Sequence, residues 1–343
     1  MNSLIQVLIT SICVFTSGLS LAQDMPKCPE ISYEDAIVKH ARVPVDRLEG
    51  QAVFSLPDVP RMLGSLGGYC MALFDEVSMK RVATSWTDNK GAFAFESLAA
   101  GDYVLIGRHA RDESGSLRLP VELSNKPDVS GPLRGLLIRV EMRGTQLSGR
   151  GEAIGNLGLR RTLIDMLKID QAVRMEMIDK GMENIAPEMQ DQQSKVDAQT
   201  ETRLAAIVRE HGWPGLDMVG LEGTAAASVM LQHIGPEMQK KSLPLVEAAF
   251  RAGNVMGPHY AGLVDRVRLS EGRLQLYGTV AKPFTRKGEV VFQPIEGEAG
   301  VDERRAEVGL MPLAEYRELM KQTYFPSKTQ QPATPATTSA EEQ

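Results

Sequence analysis

The sequence predicts a multidomain chain: an N-terminal all-β sandwich of about seven strands, followed by a mainly α-helical domain with a small β-hairpin. Three observations carry this reading. Between residues 49 and 143, seven short runs rich in Val, Leu, Phe and Tyr are separated by Gly, Pro, Asp, Asn and Ser, the spacing of a small sandwich. From Leu159 onward the apolar residues recur at the three-to-four spacing of amphipathic helices. The chain of 343 residues suits two domains better than one.

The N-terminus comes first in the chain. Leu4 to Phe15 is uncharged and apolar, and Ser20-Leu21-Ala22 places small residues where a signal peptidase reads. This predicts a signal peptide over 1–22, a mature start after Ala22, and an extracytoplasmic location, periplasmic or secreted. No Lys or Arg precedes the apolar run, so a retained membrane anchor is the alternative, although the run is short for a full span. No transmembrane segment is read after it. Of three cysteines, Cys13 leaves with the signal. Cys28 and Cys70 remain, an even number in an oxidising compartment, and predict a disulfide. Two isolated thiols are the alternative. The formal net charge of −6 and the lack of a Lys/Arg cluster argue against a nucleic-acid partner.

Residues 23–45 read as an N-terminal extension and 46–143 as the sandwich. In the stretch from Thr87 to Gly107, Asp88, Asn89, Lys90 and Gly91 reverse the chain. Phe93 and Phe95 then share one face, and after the Gly101-Asp102 turn so do Tyr103 and Leu105. Thr87, Asp88, Gly91, Phe93, Phe95, Gly101 and Tyr103 together give a pattern that resembles the carboxypeptidase regulatory-like family, a transthyretin-like sandwich. The resemblance implies an extracytoplasmic accessory module and brings no catalytic residues with it.

Residues 144–158 are rich in glycine and read as a linker. Gly149, Gly151 and Gly155 stand one residue too far apart for a dinucleotide-binding turn, and no cofactor is expected. The helical domain spans 159–326. Helices are expected from Leu159, through Ala198–Gly212, over Thr224–His233, over much of Glu237–Ala252, from Pro258, and after Pro312. Two alternating runs, 273–279 and 288–295, read as a hairpin. The Pro/Thr/Ala/Gln-rich end, 327–343, reads as disordered.

Polar residues then fall on faces that should be apolar. The stripe of Leu163 and Leu167 continues to Asp170 and Arg174, four apart and able to meet. Either they form a structural salt bridge or they wall a polar pocket. Asp265 and Arg266 flank the apolar face of the helix from Pro258. Gln275, Tyr277 and Thr279 line one hairpin face, which is also how a solvated face looks. His233 ends its helix, where the helix dipole favours a protonated histidine, and a satisfied structural histidine is the alternative to a working one. No H-E-x-x-H, C-x-x-C, G-x-S-x-G or phosphate-binding loop is present, and no metal site is expected.

The helical half resembles an uncharacterised bacterial family, a domain of unknown function. The pattern comprises Asp170, Gln171 and Arg174; Gly212, Trp213 and Pro214; Gln232 and His233; Asp265 and Arg266; Gln275, Tyr277, Gly278 and Thr279; Asp302 and Arg305; and Gly309, Leu310 and Tyr316. Val280 departs from it, where Gln is expected. The resemblance implies a domain and no reaction. The expected function is binding of a small polar ligand, peptide or glycan by Arg174, Gln171, Trp213, Gln232, Arg266, Gln275, Tyr277 and Thr279. The alternatives are a hydrolase, with His233 as general acid or base oriented by Asp170 or Asp265, and a purely structural envelope protein.

Overall fold

The computed structural model describes residues 28–33, 41–56, 59–109, 117–125, 131–143, 146–180, 185–282 and 289–324. The expected signal segment (1–22) and tail (327–343) lie outside the described residues. Ten strands come first: β1 (Val43–Val45), β2 (Glu49–Leu56), β3 (Val59–Ser65), β4 (Tyr69–Asp75), β5 (Arg81–Trp86), β6 (Ala92–Ala94), β7 (Gly101–His109), β8 (Leu117–Leu123), β9 (Gly135–Arg143) and β10 (Gln146–Ile154). Helices follow: α1 (Leu157–Asp179), α2 (Pro187–His211), α3 (Leu216–His233), α4 (Pro236–Arg251), α5 (Gly257–Ser270), α6 (Val301–Glu307) and α7 (Leu313–Tyr324).

The strands form two sheets, in the order β1-β8-β7-β4-β5 and β10-β9-β2-β3, with β6 also on β2. The β1–β8 and β2–β9 pairs are parallel and the rest antiparallel. One core joins the sheets: Met71, Leu73, Leu105 and Leu119 from one face Ala52, Phe93, Leu136 and Ile138 from the other. Each Leu, Ile, Met or Phe side chain buried there contributes about 1.5–3 kcal/mol. The Asp88 carboxylate builds the turn read in the sequence, accepting the Lys90 and Ala92 N–H groups at 2.8 Å each. Gly91 there has φ 75°, and a Cβ would lie 2.1 Å from the Ala52 carbonyl oxygen.

All seven expected runs are strands, and β1, β3 and β10 join them. The expected linker, 144–158, is therefore a correction, because Gln146–Ile154 is strand β10, antiparallel to β9. Its glycines fit because β10 runs tightly against the other sheet. A Cβ at Gly149 would lie 2.4 Å from the Leu117 side chain, and one at Gly151 would lie 2.8 Å from Val43. The expected hairpin at 273–295 is a second correction. The segment is irregular, with two isolated bridges, Gln275 to Ile295 and Ala281 to Phe292.

Both outer faces of the sandwich are covered in part, and β4 and β7, beneath one cover, lose the simple alternation that β1 and β8 keep. Tyr69 through Phe74 of β4 are all buried. On that side Cys70, Ala72, Phe74, Val104 and Ile106 pack beneath Ile31, Cys28 and Tyr33, and a Cys28–Cys70 disulfide fixes the cover, its Cα atoms 5.6 Å apart. A bridge closing a loop of this length typically adds about 2–4 kcal/mol. On the other side Val53, Leu137 and Ile154 pack against Leu157, Leu216, Leu221, Ala225 and Met256 of the helical part.

This junction also has polar staples. The Gly155 and Asn156 N–H groups donate to the Asp217 and Met218 carbonyls at 2.9 and 2.8 Å. Helix α3 kinks at Gly220 (φ 68°, ψ 178°), which leaves an orphan donor as at any helix start. The Glu222 N–H donates at 3.2 Å to Gln51 of β2, which is wholly buried. The helical core centres on Leu163, Leu204, Ala226, Met230, Phe250 and Val267. Pro187, Pro236 and Pro258 stand in the first turns of α2, α4 and α5, where a missing N–H costs nothing.

Candidate functional site: a buried Asp–His–Arg cluster

Helix α1 supplies the centre of the cluster. Its stripe through Leu163 does run on to Asp170 and Arg174, and both are sealed, at 0% and 1% exposed. Helix α2 brings Gln193 and Asp197 alongside, and the last turn of α3 delivers His233. Asp170 Oδ2 accepts the His233 Nδ1–H at 2.8 Å, while Arg174 donates to Asp170 at 3.3–3.4 Å. Arg174 also pairs with Asp197, and Gln193 donates to the same Asp197 carboxylate at 2.8 Å. Gln171 donates to Asp170 Oδ2 at 2.8 Å.

Charge states follow from this geometry. Burial pushes the Asp170 carboxyl up, but the His233 hydrogen bond and charge and the Arg174 guanidinium outweigh it and hold it at about 2. Burial, with the charges of Arg174 and Arg266, pushes His233 down to about 4 against the pull of Asp170. At neutral pH the carboxylate is therefore ionised and the imidazole neutral. An ionised Asp170 requires the proton on Nδ1, which makes Nε2 the basic nitrogen. Burial pushes Asp197 up, offset in part by Arg174. Arg174 Nη1 and Gln193 Oε1 are buried and make no hydrogen bond among the described residues.

The cluster is closed rather than concave. The His233 side chain is 1% exposed, and none of the three clefts described is lined by Asp170, Arg174 or His233. It reaches the surface at two points, half-buried Gln171 and Asp197, whose side chain is 23% exposed.

Other residues expected at the site stand apart. Asp265 of α5 accepts the Leu276, Tyr277 and Thr279 N–H groups at 2.6, 3.0 and 2.9 Å, and the Thr279 hydroxyl at 2.8 Å. Burial raises this carboxyl despite those donors. Gln275 is buried across the same loop, donating to the Val280 and Gln293 carbonyls and accepting the Val280 N–H. Arg305, wholly buried, donates to the Tyr277 and Met311 carbonyls at 2.6 Å each and lies over the Tyr316 ring. So Asp265, Gln275 and Thr279 fold the 275–280 loop, and the carboxylate on His233 is Asp170.

That loop presents Tyr277, half-buried, with its phenol pushed up to about 12 by burial. Trp213 is a core residue. Gln232 is buried over Gly262 of α5, where a Cβ would come within 3.4 Å of its amide. Arg266 is 9% exposed and acts on His233 through its charge.

Sequence reasoning missed Asp197, Gln193 and Gln239. The first two were findable, because Gln193, Asp197, Thr200 and Leu204 fall on one stripe of α2 and are polar where the core begins. Gln239 carried no such signal. Its amide donates to the Leu231, Gln232 and Ile234 carbonyls at 3.3, 3.2 and 2.9 Å, capping the turn that holds His233.

The fold and the cluster define a class: a two-sheet β region joined to a helical domain with a buried, charged centre. Residues 157–328, half of the chain, match the family of unknown function DUF6624, and the chain belongs to that family. The β region lies outside the match. No curated protein and no solved structure matches the chain. Among the described residues no helix is long and apolar enough to cross a membrane.

Proposed function

We propose that this is an exported protein whose helical domain binds a small polar ligand, peptide or glycan through an anionic group, at the surface end of the Asp170 cluster. One observation carries the reading. Asp170, Arg174, Asp197 and His233 form a linked charged set in the interior, where apolar residues of equal size would hold the helices as well or better. The set opens to solvent at Gln171 and Asp197. Arg174 lies directly behind Asp197, and an anionic group that displaces that carboxylate would pair with Arg174 in its place, with the charge of Arg266 also acting on the cluster at His233. The disulfide supports export, since such bridges persist in oxidising compartments. The two-sheet β region, with its Asp88 and Gly91 turn, supports a carboxypeptidase regulatory-like accessory module.

The 2.8 Å Asp170–His233 contact favours one second reading, an extracytoplasmic hydrolase in which His233 Nε2 takes a proton. That reading needs local opening, because the ring is sealed. A thermal-shift screen of small carboxylates, phosphates, dipeptides and oligosaccharides against the whole chain tests both. A compound that stabilises the wild-type chain and loses its effect in a folded Arg266→Gln variant supports binding. If that compound is also consumed, and His233→Gln stops its turnover while leaving its binding, the hydrolase reading replaces the first. A screen with no stabilising compound sinks both.

A further inference from the structure

A second site lies elsewhere, where the sandwich meets the start of α1. A cleft of about 440 Å³ opens there, between β2, β5 and β6 on one side and the first turns of α1 on the other. Small-molecule sites have this size and concentrate at such junctions. Its apolar lining includes Trp86, Phe93, Ala94 and Leu157, and its polar lining includes Ser85, Glu49, Arg160 and Arg161. We propose that this cleft binds an uncharged polyhydroxyl ligand, a saccharide.

The charges of the cleft decide the class. Each cation already has an anion. Arg161 pairs with Glu49 across the junction, and Arg160 donates to Glu222 at 2.5 Å, with Lys90 on the same carboxylate at 3.2 Å. An anionic ligand would have to displace Glu49 from Arg161, and a cationic one would meet two guanidiniums. A sugar hydroxyl does neither. It accepts from an Arg N–H while donating to a Glu oxygen, so it extends each ion pair instead of breaking it. A guanidinium carries five donors, and the Glu222 and Glu49 contacts engage one terminal nitrogen each of Arg160 and Arg161. The apolar lining suits the carbon face of a sugar ring, and Trp86 adds an indole, apolar in body with one N–H donor.

The cleft is built from both halves of the chain. Glu49 and Ser85 come from the sheets, and Arg160 and Arg161 from a helix whose start is pinned by the Asn156 carboxamide oxygen accepting the Leu159 N–H at 2.9 Å. The site is independent of the Asp170 cluster, so each can fail without the other.

The test is titration of the full chain with neutral chitotriose, maltotriose and cellotriose, and with trigalacturonate and inorganic phosphate as charged controls, by calorimetry. The expected result is saturable binding of at least one neutral trisaccharide, with phosphate and trigalacturonate at least tenfold weaker. Ala94→Trp, at an exposed position lining the cleft, fills it and abolishes binding. Glu49→Gln with Arg161→Gln weakens binding tenfold or more. His233→Gln leaves the affinity unchanged. Circular dichroism confirms that each variant is folded. No binding of any neutral trisaccharide, preferential binding of the charged controls, or binding that survives Ala94→Trp overturns the proposal.

Discussion

Asp170 and Asp265 are both wholly buried carboxylates on helices of the same domain, and they do different work. Asp170 is met by side chains: an imidazole, a guanidinium and an amide, drawn from α1 and α3. Asp265 is met by three backbone N–H groups and one hydroxyl, all from residues 276–279. The first holds a charged centre together, and the second shapes a loop. The difference teaches that a buried charge on a helix face signals function only once its partners are known. Partners with their own charge leave a tunable centre, whereas backbone amides leave a fixed turn.

The largest test of this contrast is removal of each charge. Asp170→Asn leaves Arg174 buried with only Asp197 to offset it, and urea unfolding should show a loss of about 3–5 kcal/mol. Asp265→Asn turns an NH2 toward donors of the 276–279 loop and should cost about 2–3 kcal/mol. Equal and small losses would erase the distinction.

Acid is the next test. His233 and His259 are both pushed down to about 4, His259 by burial alone. The unfolded chain protonates them near their usual value of 6.5, so the folded state binds fewer protons below it. Stability should therefore fall as pH drops from about 6.5 to about 4, by about 3 kcal/mol per histidine. Asp170, held at about 2, adds a further loss as pH falls below its ordinary carboxylate range. Asp265, raised, works in the opposite sense. His259→Gln should flatten the upper limb of the acid curve, read by denaturant midpoints across pH; an unchanged limb would show that the histidine is solvated.

Two smaller effects sharpen the picture. Gln239→Ala removes the cap on three carbonyls at the end of α3 and should cost about 1–2 kcal/mol, with a shift in the His233 ring resonances. The same cost without that shift would separate the cap from the cluster. Gln171→Ala trims the half-buried end of the cluster and should cost less than about 1 kcal/mol, while weakening any ligand found by the screen.

Much of this was legible in advance. The seven apolar runs became strands, Gly212 ended α2 at φ 74°, and the stripe through Leu163 led to Asp170 and Arg174. Strand β10 was hidden because its glycines look like a linker; they answer to side chains of the other sheet, which no local pattern reveals. The expected hairpin was equally hidden. Asp265 claims the N–H groups of 276, 277 and 279, and Arg305 the Tyr277 carbonyl, so the ladder those groups would form is replaced by side-chain bonds.

By itself, then, the sequence determined the order of seven strands and of every helix but α6, the helix faces and the place of the polar residues on them, because periodicity and turn chemistry are local. Only the tertiary structure decided which carboxylate His233 meets. Asp170 and Asp265 stand on equally suitable helix faces, 63 and 32 residues away along the chain. Side-chain hydrogen bonds act over about 3 Å, and only the packing of α1 against α3 brings one of the two within that distance.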